Sequence, residues 1–145
     1  MFMGSFLYKM DNKGRVMIPP QFKQDLGKKF IITRGFENCL FLYSLSEWER
    51  ISNELSKIPL SSKESRYFLR IWFSSAVEIE ADGYSRILIP SDFRKFANLN
   101  REIYFIGVYN RIELWDSKMW ENYRNSKEIS YEDSISKILE GKWWK

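Results

Sequence analysis

The chain repeats itself, and the repeat limits what it can fold into. The stretch DNKGRVMIPPQF, Asp11 to Phe22, returns as DGYSRILIPSDF, Asp82 to Phe93. Asp11 matches Asp82, Arg15 matches Arg86, Ile18 matches Ile89, Pro19 matches Pro90 and Phe22 matches Phe93. After a shift of one residue, RGFENCLFLYSLSEWE (Arg34 to Glu49) runs parallel to IGVYNRIELWDSKMWE (Ile106 to Glu121). Gly35 then falls on Gly107, Asn38 on Asn110, Leu42 on Leu114, Trp48 on Trp120 and Glu49 on Glu121. Ten identities in order with a single shift exceed chance, so one supersecondary unit is built twice.

Each copy has the same grammar. An alternating apolar strand comes first, through Phe6, Tyr8 and Met10 or Val77, Ile79 and Ala81. A tight turn follows, in which Gly14 or Gly83 is expected to supply a positive φ. A short strand, Val16 to Ile18 or Ile87 to Ile89, runs into Pro19 or Pro90, and proline suits the first turn of the short helix behind it. Two more strands are expected near 29–33 and 39–43, and again near 102–106 and 111–115. A helix led by Trp48 or Trp120 closes each copy.

Helical segments join and end the copies. Ser46-Glu47-Trp48-Glu49 reads as a capping box, opening a helix with Trp48, Ile51, Leu55 and Ile58 on one face and Pro59 beyond its end. Ser61 to Glu64 offers a second box, and the helix behind it is apolar almost all round: Tyr67, Phe68, Leu69, Ile71, Trp72 and Phe73. Such a helix needs cover on more than one side, which points to oligomerisation. A final helix holds Ile135, Ile138 and Leu139, ahead of a tail with Trp143 and Trp144. The division is a first unit over 1–58, a helical connector over 59–76, a second unit over 77–124, and a C-terminal helix and tail over 125–145.

Composition narrows the chemistry. There is no histidine, which removes the commonest general base and metal ligand. Cys39 is the single cysteine, so no internal disulfide or thiolate metal cage can form, and its apolar neighbours favour a buried structural thiol. No stretch approaches the roughly 18 to 20 apolar residues of a membrane span. The start lacks the basic head and apolar block of a signal peptide, so the protein is read as cytoplasmic. The net charge of +4 permits nucleic-acid binding without requiring it. Aromatic residues make up 17% of the chain, six of them Trp, more large rings than so small a chain readily hides; some are expected in subunit interfaces.

The motif that carries chemistry is Asp-x-x-x-Arg, present as Asp11 to Arg15 and Asp82 to Arg86. Its aspartate can accept backbone N–H groups and hold the guanidinium four residues on. Lys13 puts a second cation on the first loop, and an arginine mounted at a strand start can grip a phosphate or read guanine O6 and N7. The competing reading is a pair of ion pairs that only lock two turns, and spacing alone does not separate the two.

MDNKGRVMIPPQF, RGFENCLFLYSLSEWERI, RILIPSDFR and IGVYNRIELWDSKMWENY together resemble the MraZ family, from Met1 to about Tyr123. The resemblance implies an α+β fold: two tandem AbrB/SpoVT-like swapped-hairpin β units forming a pseudo-two-fold double-split barrel, with a helical insert and a C-terminal helix. It implies a nucleoid-associated DNA-binding regulator that assembles into a homo-oligomeric ring of about eight to twelve subunits. The partner is double-stranded DNA, as short direct repeats in the promoter of the division and cell-wall operon, which the family usually represses together with its own gene. No cofactor, metal or membrane is implied. Carried onto this chain, the DNA contacts fall on Lys13, Gly14 and Arg15, with Arg86 as the second-copy counterpart and Asp11 and Asp82 positioning the arginines. The second loop departs from the pattern, with Tyr84 and Ser85 in place of the basic-glycine pair, and Met3 stands where many relatives carry Arg.

Three other readings compete. A non-DNA oligomeric scaffold accounts for the aromatic surplus. An antitoxin-like AbrB regulator usually has one copy of the unit. An enzyme would draw on Asp11, Asp82, Glu78 and Glu80 as acid–base groups, but no phosphate loop, zinc spacing or nucleophile motif accompanies them.

Overall fold

The computed structural model describes residues 1–141. Its first copy runs β1 (Phe2–Lys9), β2 (Arg15–Met17), α1 (Pro20–Leu26), β3 (Lys29–Arg34), β4 (Leu40–Ser44) and α2 (Leu45–Leu55). After α3 (Lys63–Ser75), the same order returns as β5 (Val77–Glu80), β6 (Arg86–Leu88), α4 (Ser91–Phe96), β7 (Glu102–Tyr109), β8 (Arg111–Asp116) and α5 (Ser117–Arg124). The helix α6 (Tyr131–Gly141) ends the described chain. No described helix is long and apolar enough to cross a membrane.

The two copies are interlaced. A six-stranded antiparallel sheet has the order β1-β7-β8-β4-β3-β5, and β2 pairs with β6 in a separate two-stranded ribbon. The first strand of each copy therefore lies on the third strand of the other: β1 on β7 and β5 on β3. Equivalent strands meet at the centre, β4 against β8 and β2 against β6. The fold is α+β, with six helices among the described residues.

Alternation along the strands splits the core in two. Leu40, Leu42, Ile112 and Leu114 face the ribbon and the short helices, where Val16, Ile18, Phe22, Ile87, Ile89 and Phe93 complete one cluster. Cys39, Phe41, Tyr43 and Trp115 face the other way, against α2, α3 and α5. There Trp48 stacks on Trp72 at 5.7 Å between ring centroids, and Trp120 meets Trp115 edge-on at 5.3 Å. The four described Trp thus pack within their own chain rather than waiting for a partner, while Trp143 and Trp144 lie outside the described residues. Among the described residues the exposed rings are Phe36, Tyr67, Phe73, Tyr84, Tyr109, Tyr123 and Tyr131.

Two helix starts differ from the sequence reading. Ser44, not Ser46, caps α2, its hydroxyl accepting from the Glu47 N–H at 3.2 Å. Strand β4 ends on Ser44, so the helix begins at the first serine the strand releases. Ser62, not Ser61, caps α3, accepting from the Ser65 N–H at 3.0 Å. The α3 helix is also less covered than its sequence requires: Trp72 is buried, but Tyr67 and Phe73 stand exposed.

Candidate nucleic-acid interface

The two Asp-x-x-x-Arg turns are built alike, atom for atom. Asp11 Oδ1 accepts the N–H groups of Lys13 and Arg15, both at 2.9 Å, and Arg15 Nε donates to Asp11 Oδ2 at 3.1 Å. Asp82 Oδ1 accepts the N–H groups of Tyr84 and Arg86 at 2.9 Å, and Arg86 Nε donates to Asp82 Oδ2 at 2.9 Å. Backbone bonds close each turn, from Asp11 N to Arg15 O at 2.8 Å and from Asp82 N to Arg86 O at 2.9 Å. Each carboxylate is held below its usual range, first by the backbone N–H of the arginine four residues on and further by the guanidinium itself.

The positive φ falls at the same place in both loops. Gly14 has φ +91°, and its counterpart is Ser85, at φ 60°. Gly83 does not supply the left-handed residue, contrary to the sequence reading: the carboxylate's bonds to the second and fourth residues after it fix the third as left-handed, and in the second loop that third residue is Ser85. The displaced glycine therefore leaves the two loops superimposable in their hydrogen bonding.

Both loops feed one ribbon. Arg15 stands opposite Leu88, Val16 opposite Ile87 and Met17 opposite Arg86. Val16 and Ile87 are buried, so the other face carries Arg15, Met17, Leu88 and Arg86 together. Met17 and Leu88 are exposed, 44% and 57%, on a polar protein surface. Each arginine spends its Nε on its own aspartate, and among the described residues its two Nη groups donate no hydrogen bond. Those groups are the donors a phosphate or a guanine edge requires. The loop cations differ: Lys13 is exposed on the first turn, whereas Tyr84 on the second lies under the Arg86 guanidinium, 5.2 Å from ring centroid to guanidinium carbon.

Two further cations sit at these loops and were missed in the sequence. Arg94 of α4 reaches across to the first loop, donating its Nε to Ile89 O at 3.0 Å, and its guanidinium packs over Gly14. Its counterpart Lys23 of α1 lines a cleft with Asp82, Gly83 and Ser85 beside the second loop. Each loop is thus served by a basic residue from the opposite copy, a relationship that only the interlaced pairing creates. Alternation about the buried Val16 was the available signal for Met17 and Leu88. Glu78 and Glu80 lie exposed on β5, where Glu80 makes a 3.7 Å ion pair with Lys28, and they do not join the aspartates.

Comparison with known proteins agrees with this duplicated arrangement. A family model described as "MraZ protein, putative antitoxin-like" matches the chain twice, over residues 1–71 and 72–139. A protein of Halothermothrix orenii named "Transcriptional regulator MraZ" is 48% identical over 133 residues, which cover 92% of this chain and 93% of that one. With both halves matched and the likeness running nearly end to end, the chain belongs to the MraZ family.

Proposed function

We propose that the protein is a sequence-specific DNA-binding transcriptional regulator, working in the cytoplasm at the nucleoid, and that the β2–β6 ribbon is its reading element. The observation that carries the reading is one exposed ribbon face with Arg15 and Arg86 at its corners, each anchored through Nε with its outer nitrogens unused among the described residues. A two-stranded ribbon is narrow enough for the major groove. Lys13, Arg15 and Arg86 make the DNA contacts in this reading, while Asp11 and Asp82 hold the arginines; Gly14, buried under Arg94 with its N–H on Asp11 O and its carbonyl accepting from Ile89 N–H, serves the loop through its turn. The name of the Halothermothrix orenii relative supports the same function. We read the exchange of first strands as a pair of AbrB/SpoVT-like swapped-hairpin units, over 1–58 and 77–124, closing into a double-split barrel.

A few cations per chain bind DNA weakly. One bidentate guanine contact contributes roughly 1–3 kcal/mol of discrimination. A ring of identical chains changes the arithmetic, because contacts after the first are intramolecular and raise avidity by about 10²–10⁴. Tandem promoter repeats near one helical turn apart are the matching target. Repression of the division and cell-wall operon, its own gene included, follows where the bound ring covers a promoter.

Fluorescence anisotropy with a labelled duplex from upstream of the protein's own gene tests this. Wild type, Arg15→Ala and Arg86→Ala are titrated beside a scrambled duplex at two salt concentrations, each variant being sized in parallel. Specific binding that Arg15→Ala abolishes in an intact assembly supports the reading, as does a salt slope of about −0.9 per neutralised phosphate. Equal affinity of wild type for both duplexes at low salt removes it and favours an oligomeric scaffold, the reading that the exposed Phe36 and Tyr67 would then serve.

A further inference from the structure

Two apolar surfaces lie uncovered among the described residues, and they match each other. The first is α6. Ser130 caps it, accepting from the Asp133 N–H at 3.1 Å, and Tyr131, Ile135, Ile138 and Leu139 follow at the spacing of one helix face. None of its residues is buried, and Ile135 and Leu139 are 49% and 52% exposed. A lone helix of eleven residues is marginal in water and is stabilised by packing its apolar face.

The second surface is a groove of about 210 Å³ between α3 and the loop after β3, lined by Phe36, Tyr67, Phe68, Ile71, Trp72 and Phe96. Phe36 and Tyr67 stand 56% and 69% exposed at its edge. The charges around the two surfaces are opposite. α6 carries Glu132, Asp133 and Glu140 against Lys137, whereas α3 carries Lys63, Arg66 and Arg70 against Glu64, and Arg34 also lines the groove. Complementary fields of this kind set orientation and exclude wrong partners.

We propose that α6 of one copy docks into the α3 groove of the next. The contact joins two different surfaces, so it is heterologous and head-to-tail, the type that closes into a ring when its rotation permits. The inference rests on the ring assembly proposed above and names the contact that holds it. It leaves the DNA-reading ribbon uncovered, since neither Arg15 nor Arg86 lines the groove.

A head-to-tail contact has a distinctive test with the full chain. One variant, Ile135→Asp with Leu139→Asp, spoils the helix face; another, Phe36→Ser with Tyr67→Glu, spoils the groove. All four positions are exposed, and far-UV circular dichroism checks that each variant stays folded. By light scattering, wild type is expected to be an assembly, each variant a monomer, and an equimolar mixture of the two a dimer with one intact contact. Binding of each variant to a single DNA repeat stays at the wild-type level, and only the gain from tandem repeats is lost. Should either variant unfold, Glu132→Lys with Asp133→Lys and Lys63→Glu with Arg70→Glu repeat the experiment by charge reversal. Variants that keep the wild-type mass, or a mixture that stays monomeric, overturn the docking while the ring stands. A monomeric wild type overturns the ring itself and the docking with it.

Discussion

The guanidinium of Arg94, in the second copy, covers Gly14, in the first, so closely that a Cβ at Gly14 would lie 2.8 Å from its Cζ and Nε. That contact seals the first loop from behind and leaves Arg15 and Lys13 facing outward. It also makes Gly14 doubly constrained, since its φ of +91° is already unfavourable for any side chain.

Gly14→Ala is therefore expected to destabilise the protein by about 1–3 kcal/mol, combining backbone strain with displacement of Arg94 from Ile89 O. Ser85→Gly relieves the same strain in the second loop, whose glycine, Gly83, does not stand at the positive-φ position. Its gain is offset by the freer unfolded chain, so a change within about 1 kcal/mol is expected. Urea unfolding of both variants checks the asymmetry. Equal losses would mean that the two loops do not share a backbone conformation.

The aspartates should titrate together. Asp11 and Asp82 are both held below the usual carboxylate value, chiefly by the backbone N–H of Arg15 and Arg86. A depressed folded value means that the carboxylate's contribution is complete above the unfolded value of about 3.9 and is lost as pH falls through the depressed one. Carboxyl carbon shifts followed by NMR should therefore show both midpoints below those of the unfolded chain. DNA binding should hold steady from neutral pH down to about pH 5, still above that window. Asp11→Ala releases Arg15 and should weaken binding about tenfold or more, the scale of one well-placed contact, while Arg15 itself remains charged.

Much of this architecture is visible in the residues, and the gaps have physical causes. The repeated Ile-Pro step marks both ribbon ends, because proline stops the strand and opens the helix in each copy. The serine caps were ambiguous, since Ser44 and Ser46 both stand three residues before a glutamate, and the choice depends on where β4 lets go. Ser85 was hidden because sequence reading assigns positive φ to glycine, and Gly83 lay two residues away. Arg94 at Gly14 and Lys23 at Asp82 are tertiary facts: each depends on strands exchanged between copies far apart in the chain.

Cys39 should prove inert in the native protein. It is buried beside Phe41, and desolvation, with the negative charge of Glu113 adding to it, raises the thiol well above its ordinary value. Nucleophilic chemistry needs the thiolate. A thiol reagent at pH 8 is therefore expected to label Cys39 only as fast as the protein unfolds, and at once in denaturant. Rapid native labelling would show that the cluster of Cys39, Phe41, Tyr43 and Trp115 opens.

The duplicated glycines make the sharpest stability prediction, because one letter serves two purposes. Gly35 and Gly107 align in the sequence repeat, but Gly107 stands inside β7 while Gly35 lies just past β3, and a Cβ at Gly35 would meet side chains, Cys39 Sγ and Phe41 Cδ1 at 2.7 Å. A Cβ at Gly107 would meet backbone, the Met3 Cα and the Phe2 carbonyl carbon at 2.6 Å, where β1 crosses from the other copy. Side chains can shift by small rotations, so Gly35→Ala should carry an overpacking cost of about 1–3 kcal/mol. A strand's backbone shifts only as a unit, and β1 brings Phe2 and Phe6 onto Phe22 in the core. Gly107→Ala should therefore cost more, about 3 kcal/mol or above. Hydrogen exchange separates the two: Gly107→Ala should strip protection from the β1–β7 amides first, whereas Gly35→Ala should leave them as protected as in wild type. If both variants expose β1 equally, the exchanged strand is not what holds the two copies together.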